Sequence, residues 1–241
     1  MKKNPVELER KYLMQTYARS PLVIERGKAC WVWDSKGKKY LDFVAGLGVN
    51  ALGHGHPRIL KALREQAARV IHVSNLYYHP YQGLLAAELA RITGMDRAFF
   101  CNSGTEAVEG ALKLAHAYGS RQSKDKFEVV ALDNSFHGRT IGALSATGQP
   151  KYWKGFEPLV PGFQFARFDD IADLTARVNE RTCAVIVEPV QGEGGVFALS
   201  QEFMDAARDL TSRHHALLIC DEIQAGLGRT GRYLASQWYG V

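Results

Sequence analysis

The sequence lacks the long apolar runs that membrane spans and signal peptides require. No segment approaches the ~18 consecutive apolar residues of a transmembrane helix, and the first ten residues contain no apolar stretch of the signal-peptide kind. Cysteines are few, with only four, at positions 30, 101, 183 and 220, and they lie far apart. We therefore predict a soluble, cytoplasmic protein whose cysteines are buried reduced thiols, without disulfides or a zinc site.

The sequence also lacks a strong excess of one charge. Its 30 Lys and Arg residues are scattered among 25 Asp and Glu residues, which leaves a net charge of +5. The densest basic run, at 36–39, falls where a hairpin turn is expected, so it indicates a solvated surface and no nucleic-acid partner. With 241 residues and 46% hydrophobic content, the chain is long enough for one large domain or two unequal ones.

An antiparallel hairpin is predicted near the N-terminus. Apolar residues alternate from Trp31 to Phe43 around a reversal at 34–37. From Pro57 the apolar spacing changes to steps of three and four, which predicts a helix, and a second helix is predicted over roughly 84–92. We assign residues 1–55, with the hairpin, to part of a small domain and residues 56–241 to a large domain.

Strands and helices alternate from residue 98 onward. Apolar runs predict strands at 98–101, 129–132, 184–187 and 216–220, separated by helical segments that include one ending at Tyr118 and one over roughly 201–214. Continuous apolar strands between helices indicate a mostly parallel sheet covered on both faces. The predicted class is therefore α/β, in which ligands bind beyond the carboxyl ends of the strands.

The first candidate site lies where the strand predicted at 98–101 turns into a helix. Ser103, Gly104 and Thr105 stand at the helix start, whose unpaired N–H groups and positive dipole end can hold a phosphate. The same residues also fit an ordinary helix cap, in which Glu106 completes a capping box with Ser103. Taken alone they favour the cap, because caps are common and phosphate sites are few.

The second candidate site is Asp221, directly after the strand predicted at 216–220. With Glu222 it could form a metal pair, act as a general base, cap the next loop, or pair with a protonated heterocycle. A carboxylate beside a pyridinium nitrogen keeps that nitrogen charged, so the ring can withdraw electrons. Gln224 could donate to a phenolic oxygen of the same ring or contact a loop. A ligand that carries both a phosphate and a protonatable ring nitrogen, such as pyridoxal phosphate, would suit both sites.

The loop after the strand predicted at 129–132 offers a third site. Phe136 could stack on a planar cofactor, and Arg139 could bind a carboxylate through two parallel hydrogen bonds. A core phenylalanine and a solvated arginine fit these positions equally well.

Two glycine patterns and a histidine pair are set aside. The patterns at 46–51 and 226–231 lack the strand and helix context of a dinucleotide site. The pair at His54 and His56 has no nearby cysteine or acid in the sequence to complete a coordination set, so no metal is predicted.

Several motifs, in this order, resemble the class III pyridoxal-phosphate-dependent aminotransferases. They are YLDF at 40–43, LGHGHP at 52–57, SNLYY at 74–78, NSGTEA at 102–107, FHGRT at 136–140, EPVQGEGG at 188–195 and DEIQAG at 221–226. The stretch 147–163 is more similar to the branch that acts on acetylornithine than to the 4-aminobutyrate or ornithine branches. The resemblance covers nearly the whole chain, and it implies the fold type I architecture of aspartate aminotransferase.

The resemblance implies a pyridoxal 5'-phosphate site in the large domain. The cofactor-binding residues it implies are Ser103, Gly104, Thr105, Phe136, Asp221 and Gln224. Among them, Gly104 and Thr105 bind the phosphate, Phe136 stacks on the ring, Asp221 faces the pyridine nitrogen and Gln224 lies near the ring hydroxyl oxygen.

The resemblance also implies how substrates are handled. Arg139 grips the carboxylate far from the reacting amine, while Glu193, catalytic together with Asp221, pairs with a switchable arginine in the C-terminal part. The implied reaction exchanges an amino group between N-acetylornithine, or a related acylated diamino acid, and 2-oxoglutarate in arginine biosynthesis. Ornithine, succinylornithine and 4-aminobutyrate are alternative donors, and the implied assembly is a homodimer with active sites at its interface.

One departure from the family pattern concerns lysine. The family lysine that bonds to the cofactor is expected within ~10 residues after Val241, whereas this sequence has no lysine after Asp221 and its last lysine is Lys154. We therefore expect a C-terminally truncated chain, inactive alone, whose large domain is incomplete. The alternative is a lysine-less protein that binds a phosphate ligand without turnover.

Overall fold

The computed structural model describes residues 4–240. Their contacts divide the chain into two compact units, Met1–His79 and Pro80–Val241, which we call the N-terminal and C-terminal units. This division falls later in the chain than the boundary predicted after residue 55, and the predicted domain boundary stays a prediction. Each unit is described by itself.

The N-terminal unit contains a three-stranded antiparallel sheet, with strands in the order β1-β2-β3. Its elements are α1 (Pro5–Tyr12), β1 (Ile24–Lys28), β2 (Trp31–Asp34), β3 (Lys39–Leu41) and α2 (Pro57–Ala67). The predicted hairpin is confirmed as β2 and β3, and the helix predicted from Pro57 is confirmed as α2.

Asp34 fixes the hairpin turn. Its carboxylate accepts hydrogen bonds from the N–H groups of Lys36 and Lys38, each at 2.9 Å, and from the Tyr40 hydroxyl at 2.9 Å. A short polar side chain that bonds its own turn is typical of this position, because it replaces the water that the backbone would otherwise need.

His54 has an acidic neighbour that the sequence reading did not find. Its Nε2 lies 2.8 Å from Oδ2 of Asp42, because the fold brings together two residues that are distant in sequence. Within residues 4–240, no group of three or more histidine, cysteine or acidic side chains is arranged to hold a metal ion.

The C-terminal unit is built on a four-stranded parallel sheet in the order β5-β4-β6-β9. Its helices are α3 (Pro80–Thr93), α4 (Gly104–Ser120), α5 (Ile141–Ala146), α6 (Ile171–Arg177) and α7 (Gln201–Arg213), and its strands are β4 (Glu128–Leu132), β5 (Phe163–Ala166), β6 (Thr182–Val187), β7 (Val190–Gln191), β8 (Phe197–Ala198) and β9 (Leu217–Cys220). The prediction of a parallel α/β sheet is confirmed.

The two central strands of this sheet, β4 and β6, are buried on both faces. Successive residues of a strand point to opposite faces, so Val130 and Val185 pack in one core cluster with Phe203 of α7, whereas Ala131 and Ile186 join a second cluster that includes residues of α4. Two covered faces explain why β4 and β6 are continuous apolar runs and do not alternate.

Two sequence predictions need correction, and one strand was missed. Residues 98–101 form no strand, because no strand among residues 4–240 pairs with them, and Phe99 is 76% exposed. Strand β5 was not predicted. The four cysteines are free thiols, but Cys30 and Cys101 are exposed, not buried.

None of the helices among the described residues has both the length and the apolar character that crossing a bilayer needs.

Candidate functional site

Most of the predicted site residues line one cavity of about 290 Å³. The residues around it are Gly104, Thr105, Phe136, His137, Gly138, Arg139, Glu188, Asp221, Ile223 and Gln224. They come from the start of α4 and from the segments that follow β4, β6 and β9. The cavity therefore lies at the carboxyl ends of parallel strands, as the fold class predicts. Ser103 and Glu193 do not line it.

The start of α4 combines a helix cap with backbone N–H groups that remain available to a ligand. Ser103 is the N-cap, and its hydroxyl accepts a hydrogen bond from the Glu106 N–H at 3.3 Å. Glu106 completes no capping box with Ser103, because its carboxylate instead accepts from the Asn102 N–H at 2.6 Å. The N–H groups of Gly104 and Thr105 have no acceptor among residues 4–240. The cap and an anion site are therefore compatible, since they use different N–H groups.

Two glycines keep the cavity open beside this helix start. A Cβ on Gly104 would lie 2.8 Å from Cγ2 of Ile223, so a larger residue there would push the isoleucine toward the cavity. Gly138 has a φ of +134°, and a Cβ there would lie 2.4 Å from Oγ1 of Thr105. A Cβ at either position would force its neighbour, Ile223 or Thr105, to move, and at Gly138 it would also strain the backbone.

Asp221 is a buried carboxylate whose oxygens retain some hydrogen-bond acceptor capacity. Its side chain is 5% exposed, and Oδ2 lies 2.7 Å from Nδ1 of His137, whose own side chain is fully buried. Oδ1 accepts a hydrogen bond from the Ile223 N–H at 3.1 Å. Each carboxylate oxygen has a second lone pair, so Asp221 can still accept from a ligand. Nε2 of His137 is buried without a hydrogen-bond partner among residues 4–240.

Glu222 turns away from Asp221. Its carboxylate accepts hydrogen bonds from the Ser236 N–H at 3.0 Å, from the Ser236 hydroxyl at 2.6 Å and from the Ala235 N–H. These residues begin a short 3₁₀ turn, Ala235–Trp238. The two neighbouring carboxylates serve different partners, so the alternative of a metal pair at this strand end has no geometric support.

Arg139 lies against aromatic rings at the cavity. Its guanidinium carbon is 4.2 Å from the ring centroid of Tyr152 and 5.7 Å from that of Phe136. The two rings meet edge to face, with centroids 5.9 Å apart and planes at 75°. Within the described part of the chain, no carboxylate or other hydrogen-bond acceptor contacts the guanidinium.

Glu188 is a cavity residue that sequence reasoning missed. It is 4% exposed, and its Oε2 accepts a hydrogen bond from the Phe136 N–H at 3.0 Å. Burial raises the pKa of Glu188 to about 7, against the opposing effect of the nearby His137. The signal that could have identified it is its position directly after β6, because Asp221 follows β9 in the same way.

Gln224 and Glu193 are neighbours at the edge of the site. The Gln224 side-chain nitrogen lies 3.5 Å from Oε1 of Glu193, in the loop between β7 and β8. Gln224 lines the cavity, whereas Glu193 is not among the lining residues. The predicted roles of both residues in binding cofactor and substrate remain predictions.

Comparison with protein families identifies a match over residues 12–241 with the family described as Aminotransferase class-III. The chain is 48% identical over 239 residues to the acetylornithine aminotransferase of Methanocaldococcus jannaschii, an alignment that covers 99% of this chain and 60% of that protein. It is also 48% identical over 231 residues to the acetylornithine aminotransferase of Aquifex aeolicus, covering 95% of this chain and 61% of that protein. The chain thus spans about 60% of the length of these relatives.

Solved structures show the same likeness. An ornithine aminotransferase from Toxoplasma gondii superposes with a TM-score of 0.92 and 38% identity, covering 98% of this chain and 57% of that one. The N-acetylornithine aminotransferase of Stenotrophomonas maltophilia superposes with a TM-score of 0.83 and 36% identity, covering 98% and 58%. A second structure of the T. gondii enzyme has partial occupancy of pyridoxal phosphate at its active site.

Proposed function

Because the chain belongs to the class III aminotransferases, we propose that the whole protein is a pyridoxal-phosphate-dependent transaminase that takes an amino group from N-acetylornithine and gives it to 2-oxoglutarate. The observation that carries the proposal is the single cavity that joins the free N–H groups at the start of α4 to the buried carboxylate of Asp221. The donor is inferred from the acetylornithine aminotransferases that share 48% of their aligned residues with this chain.

The cavity residues fit pyridoxal phosphate. The unpaired N–H groups of Gly104 and Thr105 would hold its phosphate, and the remaining lone pairs of Asp221 would accept from its ring nitrogen. Phe136 would stack on the ring, and Gln224 would donate to the ring hydroxyl oxygen. The cavity volume of about 290 Å³ lies just below the roughly 300–1,000 Å³ usual for small-molecule sites.

Asp221 would carry the electrostatic part of the chemistry. When bound, pyridoxal phosphate supplies a ring that withdraws electrons from the reacting carbon. The Asp221 carboxylate, held by His137 in a buried setting, would keep a proton on the ring nitrogen, because an opposite charge at short range favours the charged form. Glu188 would hold the main chain of Phe136 in place.

Two residues are assigned to the substrates. Arg139, whose donors are free among the described residues, would bind the substrate carboxylate that lies far from the reacting amine. Glu193 would pair with an arginine from another part of the protein while the amine donor is bound, and would release that arginine for the carboxylate of glutamate. The same proposal includes a homodimer and a cytoplasmic location.

The test is a transamination assay of the intact protein, expressed from its whole open reading frame. We expect glutamate to form from N-acetylornithine and 2-oxoglutarate, faster than from succinylornithine or 4-aminobutyrate. Ornithine is the second candidate donor, because the T. gondii ornithine aminotransferase superposes with a TM-score of 0.92. Absence of glutamate with every donor, in protein shown to bind pyridoxal phosphate, would refute the proposal.

The cofactor-bonding lysine of the family pattern allows a simpler test, made on the gene sequence. We expect the coding sequence to continue past Val241 and to encode a lysine within ~10 residues. A natural stop codon at that point would favour the alternative of a protein that binds a phosphate ligand without turnover.

A further inference from the structure

We propose that Tyr152 is a specificity-determining positioning residue, whose ring holds the Arg139 guanidinium ready for a substrate carboxylate. The inference rests on the proposed function, because it concerns how that transaminase recognises its amine donor. It adds a residue outside the cavity lining, one that would act through Arg139 and would not touch the substrate itself.

The first support is the contact between the side chains. The Arg139 guanidinium carbon lies 4.2 Å from the centroid of the Tyr152 ring, well within the ~6 Å at which an aromatic face attracts a cation. Phe136 contributes a weaker contact at 5.7 Å, and its ring meets that of Tyr152 at 75°. The guanidinium is therefore held by rings alone within the described residues, which leaves its N–H donors free for a ligand.

The second support is that Tyr152 is anchored to the loop that carries Arg139. Tyr152 ends the 3₁₀ turn Pro150–Tyr152. Gln149, just before this turn, donates from its side chain to the carbonyl oxygens of Asn134 at 3.2 Å and Ser135 at 3.0 Å. The turn that carries the ring is thus hydrogen-bonded to the loop that carries the arginine.

This arrangement has an energetic reason. An exposed arginine samples many rotamers, and ordering it on binding costs conformational entropy. A ring that already restricts the guanidinium lowers that cost, so substrate affinity rises without any new contact to the substrate. Lys151 lies over the same ring, with Nζ 4.8 Å from the centroid, so its contribution must be separated from that of Arg139.

The test compares two donors that differ only in one carboxylate. N-acetylputrescine is N-acetylornithine without its carboxylate and keeps the same reacting amine. In the intact protein, Tyr152→Leu should raise KM for N-acetylornithine roughly 3- to 30-fold. It should leave kcat for that donor, and both constants for N-acetylputrescine, within about twofold of wild type.

Two variants serve as matched controls. Tyr152→Phe should behave like wild type, because the tyrosine hydroxyl has no hydrogen bond among residues 4–240 and the ring is retained. Lys151→Met should also leave the KM ratio of the two donors within about twofold. A change in that ratio as large as that of Tyr152→Leu would assign the effect to the lysine and overturn the proposal.

A third measurement does not depend on how well the leucine variant folds. Fluorinated phenylalanines at position 152 keep the ring shape but progressively weaken its negative face. KM for N-acetylornithine should then rise stepwise with fluorine number, whereas that for N-acetylputrescine should not.

The outcomes separate this inference from the proposed function. A wild-type protein that shows no preference for the carboxylated donor would contradict both. A wild-type protein with that preference, together with a Tyr152→Leu variant that retains it or that loses both donors equally, would overturn only the role of Tyr152.

Discussion

Replacing Glu188 by glutamine should change how the stability of the protein depends on pH. Burial raises the pKa of Glu188 from 4.5 to about 7, and the opposing effect of His137 is outweighed. The negative charges of Asp221 and Glu193 add to the increase. Glutamine keeps an oxygen that can accept from the Phe136 N–H but cannot ionise, so it imitates the protonated acid.

The sign and size follow from linkage between protonation and folding. Between the unfolded pKa of 4.5 and the folded pKa of about 7, the folded protein binds the extra proton. The stabilisation from this proton is fully present below pH 4.5 and is lost as the pH rises through 7. A raised pKa of this size is worth about 3 kcal/mol in total. Of this, about 2–3 kcal/mol should be lost between pH 5 and pH 8 in the wild type but not in Glu188→Gln.

The assay is denaturant unfolding of both proteins, without added cofactor, at a series of pH values from 5 to 8. The difference in unfolding free energy between wild type and variant reports the ionisation of Glu188 together with its coupling to His137, Asp221 and Glu193, because every other titrating group is common to both. Glu202→Gln, an exposed carboxylate on α7, is the matched control and should keep the wild-type pH profile. A wild-type-minus-variant difference that stays constant across this range would show that Glu188 ionises as freely in the folded protein as in the unfolded one, and would refute the reasoning.

Three further predictions concern the cavity of the intact protein and rest on its proposed function. Asp221→Ala should lower kcat by roughly 100-fold or more with a much smaller change in KM, measured by steady-state kinetics, because the lost charge acts on the transition state; unchanged turnover would contradict its role. Arg139→Lys should weaken the binding of N-acetylornithine in competition assays but leave that of N-acetylputrescine unchanged, because an ammonium cannot replace the planar guanidinium. Equal losses of affinity for both donors would count against the role of Arg139. Gly104→Ala should weaken pyridoxal phosphate binding roughly tenfold in equilibrium titration, because the new Cβ would lie 2.8 Å from Ile223. The control is Gly110→Ala in the same helix, whose Cβ would lie 3.4 Å from Phe99 and which should bind the cofactor normally.

The local apolar pattern predicted three of the four strands of the parallel sheet. β4, β6 and β9 are each continuous apolar runs, and their neighbours in the sheet supply the hydrogen bonds that the pattern assumes. Residues 98–101 have the same composition but no partner among residues 4–240, so composition alone was insufficient. Strand β5 was missed because its polar Gln164 interrupts the apolar run, although it pairs with β4 in regular register.

Cavity residues were predictable where they stand directly after a strand or at the start of a helix. Gly104 and Asp221 were found in this way, and Glu188 could have been found by the same rule. The contact between Arg139 and Tyr152 could not, because it depends on how the segment between them, which contains α5 and a 3₁₀ turn, folds back on itself, and no local pattern encodes that path. The capping box predicted at Ser103 was wrong in its second half, since Glu106 reaches Asn102 instead.

The cap on α4 has a consequence for how ligands come and go. Because Ser103 already satisfies the Glu106 N–H, the first turn stays wound whether or not an anion is present. Under the proposed function, the N–H groups of Gly104 and Thr105 would therefore be in place before a phosphate binds, and neither its binding nor its release would require the helix to fray and rewind. Exchange at this end of the cavity should be governed by the ligand's own contacts, with no refolding step in its path.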